Sequence, residues 1–418
     1  MRILLLSLQD ENQDAAPDGS TRTRVRRLEE EQTLALVRAM RDGGRLAPLL
    51  VCLKGSRLHE RARALNLPLL AVSGTGTGNP LTLLRLWNRQ RRHKKLLIQT
   101  VGEEALALGR RVLRMRPSGS ALLAHAFFLR PPAPERCKSK EMRAARYILC
   151  GSKHVQNRIL AAWEQAPDAA APVVPPIVPA DALPLLPPGI CLEGFDPPSP
   201  FREEEGRHFI FGMGESLAPR SGAQLVARAM AAIWQRDDLP PWEVRMLGGG
   251  PRFQEVLEEA AALGVESRLC LLNEQYAPDV LRNCHAWLAP GSSPEEAPET
   301  LWSGFAAGLP VICSRSGLHL ERLGGPDQAQ NAALTVEEND PQALAKAMIE
   351  IMQDAEPRHR LAQCGRALAP STGLQHMADQ ACALFEAWLR ALGTGAPAPA
   401  EKTPDTREPV AAQRDESS

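Results

Sequence analysis

Aromatic residues are scarce in this sequence of 418 residues: nine Phe, seven Trp and two Tyr amount to 4%. Nucleic-acid binding through a set of stacking side chains is therefore not expected. No Cys-x-x-Cys pair occurs, and nine scattered cysteines are an odd total. That favours reduced thiols in the cytoplasm over a disulfide framework or a zinc site. Long apolar runs are missing as well. MRILLLSL stops at Gln9-Asp10-Glu11, too short for a signal-peptide core and far below the ~20 residues that span a bilayer. The chain is expected to be cytoplasmic and soluble, at most peripheral on the inner face of the cytoplasmic membrane.

What is present fits a globular protein: 44% hydrophobic and 23% charged residues. The length suits two domains, at about 100–200 residues each. Net charge is zero, yet residues 1–196 hold 30 cationic against 18 acidic side chains, a balance of +12, and residues 197–418 hold 19 against 31, a balance of −12. The first half is expected to meet something anionic.

Apolar runs of strand length recur at 1–8, 47–55, 68–72, 95–101, 120–128 and 146–152, then at 208–214, 242–250, 268–274, 286–291, 309–314 and 332–336. Segments of helical periodicity separate them. Strand and helix in alternation imply parallel sheets covered on both faces, an α/β class with two Rossmann-like domains. The Pro-rich stretch 171–201 cannot form a regular helix and marks the boundary. The expected division is a first domain over 1–185, a linker over 186–200, a second domain over 201–392 and a disordered tail over 393–418.

Three segments of the second half are candidates for a site. In HFIFGMGESLAPRSGAQLVARAM (208–230), Gly212, Gly214 and Gly222 allow close backbone approach, and the following helix offers free N–H groups to a phosphate, with Arg220 as a nearby cation. The same pattern serves any strand-to-helix corner. In RMLGGGPRF (245–253), Gly249 and Gly250 form a compact turn that is equally open to either reading. In AWLAPGSSPEEAPETLWSGFAAGLPVICS (286–314), a strand leads into a loop with Glu295, Glu296 and Glu299, then a helix stopped by Gly308 and Pro310. Ligands of open α/β sheets bind beyond the carboxyl ends of strands, where these carboxylates fall. Three within five residues exceed what helix capping needs, and carboxylates accept well from sugar hydroxyls.

The order and spacing of LLPPGICLEGFDP (185–197), LGGGPRFQEVLEEAAALGVESRLCLL and APGSSPEEAPETLWSGFAAGLPVICSRSGLHLE resemble the motifs of retaining GT-B glycosyltransferases of family 4, over about residues 1–392. The resemblance implies two Rossmann-like, doubly wound parallel-sheet domains facing across a cleft. It implies an acceptor-binding first domain and a second domain that binds a nucleotide-sugar donor, UDP-sugar first, with no cofactor and no essential metal. By the same resemblance, Glu295 lies near the transferred sugar. The following backbone groups (Glu296, Ala297, Pro298 and Glu299) reach sugar and diphosphate, Gly214, Arg220, Gly249, Gly250 and Leu272 line the donor, and His125 in ALLAHAFF faces the sugar. The sequence departs from the pattern where Ser303 stands for the ribose-binding Glu and where Glu215 and Ser221 stand at or beside the usual Arg and Lys.

In the first half, LRLWNRQRRHKKLL (84–97) combines Arg85, Arg89, Arg91, Arg92, Lys94 and Lys95 with Leu84, Leu86, Trp87, Leu96 and Leu97. Such a segment is either a solvated helix face or one that rests on an anionic lipid or phosphorylated glycan. The implied activity is transfer of a sugar, with retention, to a glycan or lipid-linked acceptor in cell-envelope polysaccharide or lipopolysaccharide assembly. Its alternatives are a degenerate GT-B protein that binds without turnover and a GT-B nucleotide-sugar epimerase.

Overall fold

The computed structural model describes residues 2–8, 21–73, 80–117, 119–127, 133–137, 139, 141–164, 182–193, 208–214, 222–248, 253–272, 277–293 and 299–392. Every one of the twelve apolar runs becomes a strand. The first domain runs β1 (Arg2–Ser7), α1 (Thr21–Gly43), β2 (Ala47–Leu53), α2 (Arg57–Ala64), β3 (Leu69–Val72), α3 (Pro80–Gln90), β4 (Leu96–Val101), α4 (Glu103–Arg114), β5 (Ala121–Phe127), α5 (Pro134–Cys137), β6 (Tyr147–Cys150) and α6 (Lys153–Glu164). The second runs β7 (Phe209–Gly214), α7 (Ala223–Ile233), β8 (Trp242–Leu247), α8 (Phe253–Ala262), β9 (Leu269–Leu272), α9 (Ala277–Asn283), β10 (Ala286–Ala289), α10 (Glu299–Ala306), β11 (Val311–Ser314), α11 (Gly317–Arg322), α12 (Pro326–Ala332), β12 (Leu334–Val336), α13 (Pro341–Gln353) and α14 (Ala355–Leu368). A last helix, α15 (Leu374–Ala391), follows.

Each domain holds one parallel six-stranded sheet. The orders are β3-β2-β1-β4-β5-β6 and β12-β11-β10-β7-β8-β9. In β1, Ile3 and Leu5 join the apolar cluster on one face while Leu4 and Leu6 join that on the other. A strand buried on both faces has no need of polar alternation, which is why RILLL reads as a continuous apolar run. In each sheet the chain starts centrally and winds outward in both directions, so a crevice opens at the carboxyl ends of β1 and β4, and of β7 and β10. These are the two doubly wound α/β units of a GT-B arrangement.

Helix α15 does not stay with the residues that precede it. Met377, Ala381, Phe385 and Trp388 complete the core of the first sheet, and Trp388 stacks on Tyr147 with centroids 4.0 Å apart and planes 1° from parallel. The sequence groups 374–391 with the second domain because chain continuity is all it displays; apolar burial places the helix on the first. Lys95 closes this arrangement by donating to the Leu389 and Arg390 carbonyls at 2.9 and 3.1 Å, the orphan acceptors at the end of α15.

The chain therefore crosses between domains twice, and the crossings run side by side. Ile190 N–H donates to the Thr372 carbonyl and Leu374 N–H to the Ile190 carbonyl, both at 2.9 Å. From α1, the buried Gln32 amide grips Gly189, donating to its carbonyl at 2.6 Å and accepting from its N–H at 3.0 Å. A Cβ on Gly189 would stand 2.6 Å from the Gly373 carbonyl oxygen, so only glycine fits between the two crossings. Away from this seam, Glu321 of α11 accepts from the Lys153 N–H that opens α6, at 2.8 Å.

Replacing Trp388 by Ala is expected to cost about 3–5 kcal/mol of stability, the range for removing a buried aromatic. Urea unfolding followed through Tyr147 and the first-domain signals is the measurement. An unchanged first-domain transition would show that α15 is not part of that core.

Candidate functional site

The second crevice is built around one side chain. Trp287 on β10 is 1% exposed, and its indole lies against β7 and α10. A Cβ on Gly212 or Gly214 would come within 2.8 Å of the indole, and one on Gly304 within 2.7 Å of it. Three glycines on two elements thus clear the space for one ring. Its Nε1–H donates to the Thr300 carbonyl at 2.7 Å, in the first turn of α10. The packing sets where α10 begins relative to the ends of β7 and β10.

This gives Gly212 and Gly214 a packing reason. The sequence reading treats them as clearing a path for ligand; the side on which their Cβ atoms are missing faces Trp287. Gly222, the N-cap of α7, has a left-handed φ of 89°, and a Cβ there would stand 2.6 Å from Pro290. It seats the start of α7 against the loop after β10.

A second polar anchor fixes the same loop. The Ser314 hydroxyl, at the end of β11, donates to the Gly291 carbonyl and lies 3.0 Å from His319 Nδ1, which is also 3.1 Å from the Ser314 carbonyl. With the hydroxyl proton on Gly291, the proton that satisfies both Ser314 oxygens sits on His319 Nδ1. His319 N–H in turn donates to Ser316 Oγ at 3.2 Å, capping α11. The loops after β10 and β11 and the starts of α7, α10 and α11 are thereby tied together. Sequence reading passes over Trp287, Ser314 and His319: a Gly-x-Gly strand and a Gly in a helix indicate a bulky neighbour, but one sequence does not say which.

On this frame Glu299 opens α10, half-buried, and Ser303 follows one turn later at 9% exposure, so the two share a face of the helix. Gly308, with φ of 68°, ends the helix as expected, its N–H donating to the Phe305 carbonyl. Leu272 lies at the carboxyl end of β9, two strands from β7, and its carbonyl accepts from Gly248 N–H at 2.9 Å. Glu295, Glu296, Ala297, Pro298, Arg220, Gly249 and Gly250 lie outside the described residues, as do Glu215 and Ser221.

His125 lies in the other sheet, on β5. It is fully buried, with Nδ1 2.6 Å from Thr100 Oγ1. Burial pushes its pKa down to about 3, a contact with Thr100 opposing this only in part, so the ring is neutral near pH 7. A neutral imidazole can donate or accept one hydrogen bond but supplies no cation to a diphosphate. Of the basic segment, Arg89, Arg91, Arg92 and Lys94 are exposed, with the Arg91 guanidinium 5.3 Å from the Trp87 ring centroid. Lys95 is not among them, being held by α15, and Leu86, Leu96 and Leu97 are core residues. No cluster of three metal-binding side chains occurs among the described residues.

Residues 199–368 match the family model of Glycosyl transferases group 1, so the domain that holds this crevice carries that family's signature. No curated protein matches the sequence. Among solved structures, the chain is similar to a glycosyltransferase from Rickettsia africae (15% identity, TM-score 0.67, covering 92% of this chain and 97% of that one). It is also similar to Anabaena HepE in complex with UDP (16%, 0.66, 92% and 100%) and to the lipopolysaccharide outer core galactosyltransferase WaaB (11%, 0.60, 92% and 99%). At these identities the likeness establishes the two-domain GT-B fold.

Gly214→Ala is expected to destabilise the ligand-free protein by about 1–3 kcal/mol through overpacking against Trp287. A calorimetric melt without nucleotide checks it, since a glycine needed only for ligand approach would leave that melt unchanged. His125 adds an acid dependence. Its folded pKa of about 3 lies below the ordinary 6.5, so between these values only the unfolded chain takes up this proton and stability falls as pH falls. In His125→Asn the loss of denaturant midpoint across that window should be shallower than in the parent protein.

Proposed function

We propose that the protein is a retaining, metal-independent glycosyltransferase. It takes a sugar from a nucleotide sugar, UDP-linked in the first instance, and passes it to a glycan or lipid-linked acceptor of cell-envelope polysaccharide or lipopolysaccharide. The observation that carries this reading is the family match over 199–368, which falls on the domain whose switch-point crevice is braced by Trp287, Gly222 and Ser314. The HepE complexes with UDP, with UDP and glucose, and with UDP-glucose support the donor class, and the galactosyltransferase WaaB supports the acceptor class.

In this reading the diphosphate lies across the starts of α7 and α10, where the positive dipole ends of the two helices stabilise the charge that develops as the sugar leaves. Glu295 accepts from the hydroxyls of the transferred sugar, and Glu299 and Ser303, on one face of α10, accept from the ribose. His125, neutral, hydrogen-bonds on the first-domain side. The leaving diphosphate and the incoming acceptor hydroxyl share a face, which gives retention, and domain closure excludes water.

Ser303 favours a second reading, a protein that binds a nucleotide sugar without turnover. Its hydroxyl replaces the acid that the family resemblance leads one to expect, and a neutral bond is about half as strong as a charge-assisted one.

A thermal-shift screen with UDP, GDP, ADP and CMP and their sugar conjugates tests donor binding. A ligand at a hundred times its Kd adds about 2.7 kcal/mol, a readily measured shift. A response to one nucleotide class is expected; none with any would remove the donor reading. With the donor known, hydrolysis or transfer of labelled sugar separates the two readings: Glu295→Ala should abolish turnover while leaving nucleotide binding largely intact.

A further inference from the structure

Helix α3 presents leucines on the side away from its own core. Thr82, Leu86 and Gln90 form its buried stripe, whereas Leu81 and Leu84 are 61% and 58% exposed. At about 100° per residue, Leu84 lies about 160° and Leu81 about 140° around the axis from Leu86. Trp87, on the flank between them and the core, is 40% exposed and carries Arg91 over its ring. A solvated face would place polar residues at these positions, and leucine at both is what a docking ridge requires.

The charge around the ridge has one sign. Arg85 and Arg89 are exposed on α3, and Arg92 and Lys94 just beyond it. No Asp or Glu occurs between Glu60 and Glu103. On the buried side of α3, across the helix from the ridge, the Gln90 side chain is 1% exposed, and its amide has no hydrogen-bond partner among the described residues. It lines a small pocket between α3 and α4 together with Trp87 and Met115.

We propose that this ridge docks the first domain on an anionic lipid bilayer. Leu81, Leu84 and Trp87 enter the headgroup boundary, and the surrounding cations meet lipid phosphates. A second copy of the chain is the poorer occupant. It would set an all-cationic segment against its own image, and three exposed apolar side chains fall well short of the ~800 Å² per partner of a stable interface. The docking is independent of the donor reading, because it is measured without any transfer reaction.

The test is flotation of the full-length protein with phosphatidylglycerol–phosphatidylcholine vesicles and with phosphatidylcholine alone, at low and high salt. The protein should float with the anionic vesicles, less at high salt, and not with the neutral ones. Arg85→Gln and Arg91→Gln should each weaken partitioning about fivefold. Leu81→Gln with Leu84→Gln should abolish flotation without lowering Tm, since both side chains are exposed. Three results would overturn the proposal: no flotation on anionic vesicles at low salt, flotation unaffected by the double substitution, or a dimer in sedimentation that the double substitution dissolves.

Discussion

The seating of the Trp287 indole is the constraint on which the second domain's crevice depends. An aromatic ring of this size buries on the order of 200 Å² and tolerates no gap of a methyl group around it. Here the space is made by removing side chains from its neighbours: Gly212 and Gly214 on β7, and Gly304 on α10. The ring then holds a strand and a helix at a spacing that neither would adopt alone, and its N–H fixes the first turn of α10 through the Thr300 carbonyl. The start of that helix is where Glu299 stands and where the loop with Glu295 and Glu296 arrives. Precision at the helix end thus comes from packing behind it, on rigid elements.

A different economy governs the seam between domains. Two adjacent crossings, locked by Gly189 against Gly373 and by the Gln32 amide, make the join. Such a join bends more easily than a core shears, and the bond from Lys153 N–H to Glu321 sits away from it, where a change of angle would alter its length. Burial raises the Glu321 pKa, and the Lys153 N–H of the other domain opposes this in part. Returning α15 to the first core keeps the two halves joined whatever the angle between them.

Much of this was legible in the sequence. All twelve strands appear as apolar runs because parallel strands with helices on both faces are rich in apolar residues, most completely in the central ones such as β1, while β8 keeps Glu243 and Arg245 half-buried and paired with each other; the signal does not depend on knowing the partner strand. Gly308 and Pro310 announced the end of α10 by local backbone chemistry alone. What could not be read was pairwise and distant. Lys95 looks like its neighbours Arg92 and Lys94 until α15 arrives from about three hundred residues away to occupy it. Leu84 and Leu86 look alike until the helix phase is known, after which one is core and the other faces outward. Gly214 belongs to a motif that serves ligands in many folds, and only the indole beside it shows another reason for its small size.

Ser303 shows how packing and chemistry trade against each other at such a site. It is nearly buried, between Trp302 and Gly304 on a helix whose inner face is apolar. A carboxylate there would have to find a permanent hydrogen-bonding partner or surrender its charge while no ligand was bound. A hydroxyl avoids that cost, because it can turn toward whichever acceptor is near. The same property limits it: in the proposed donor site it offers a ribose only a neutral bond. More of the nucleotide's hold then falls to backbone N–H groups at the ends of α7 and α10, whose strength lies in orientation. That returns the burden to Gly222 against Pro290 and to Trp287 against three glycines, the contacts that set those helix ends.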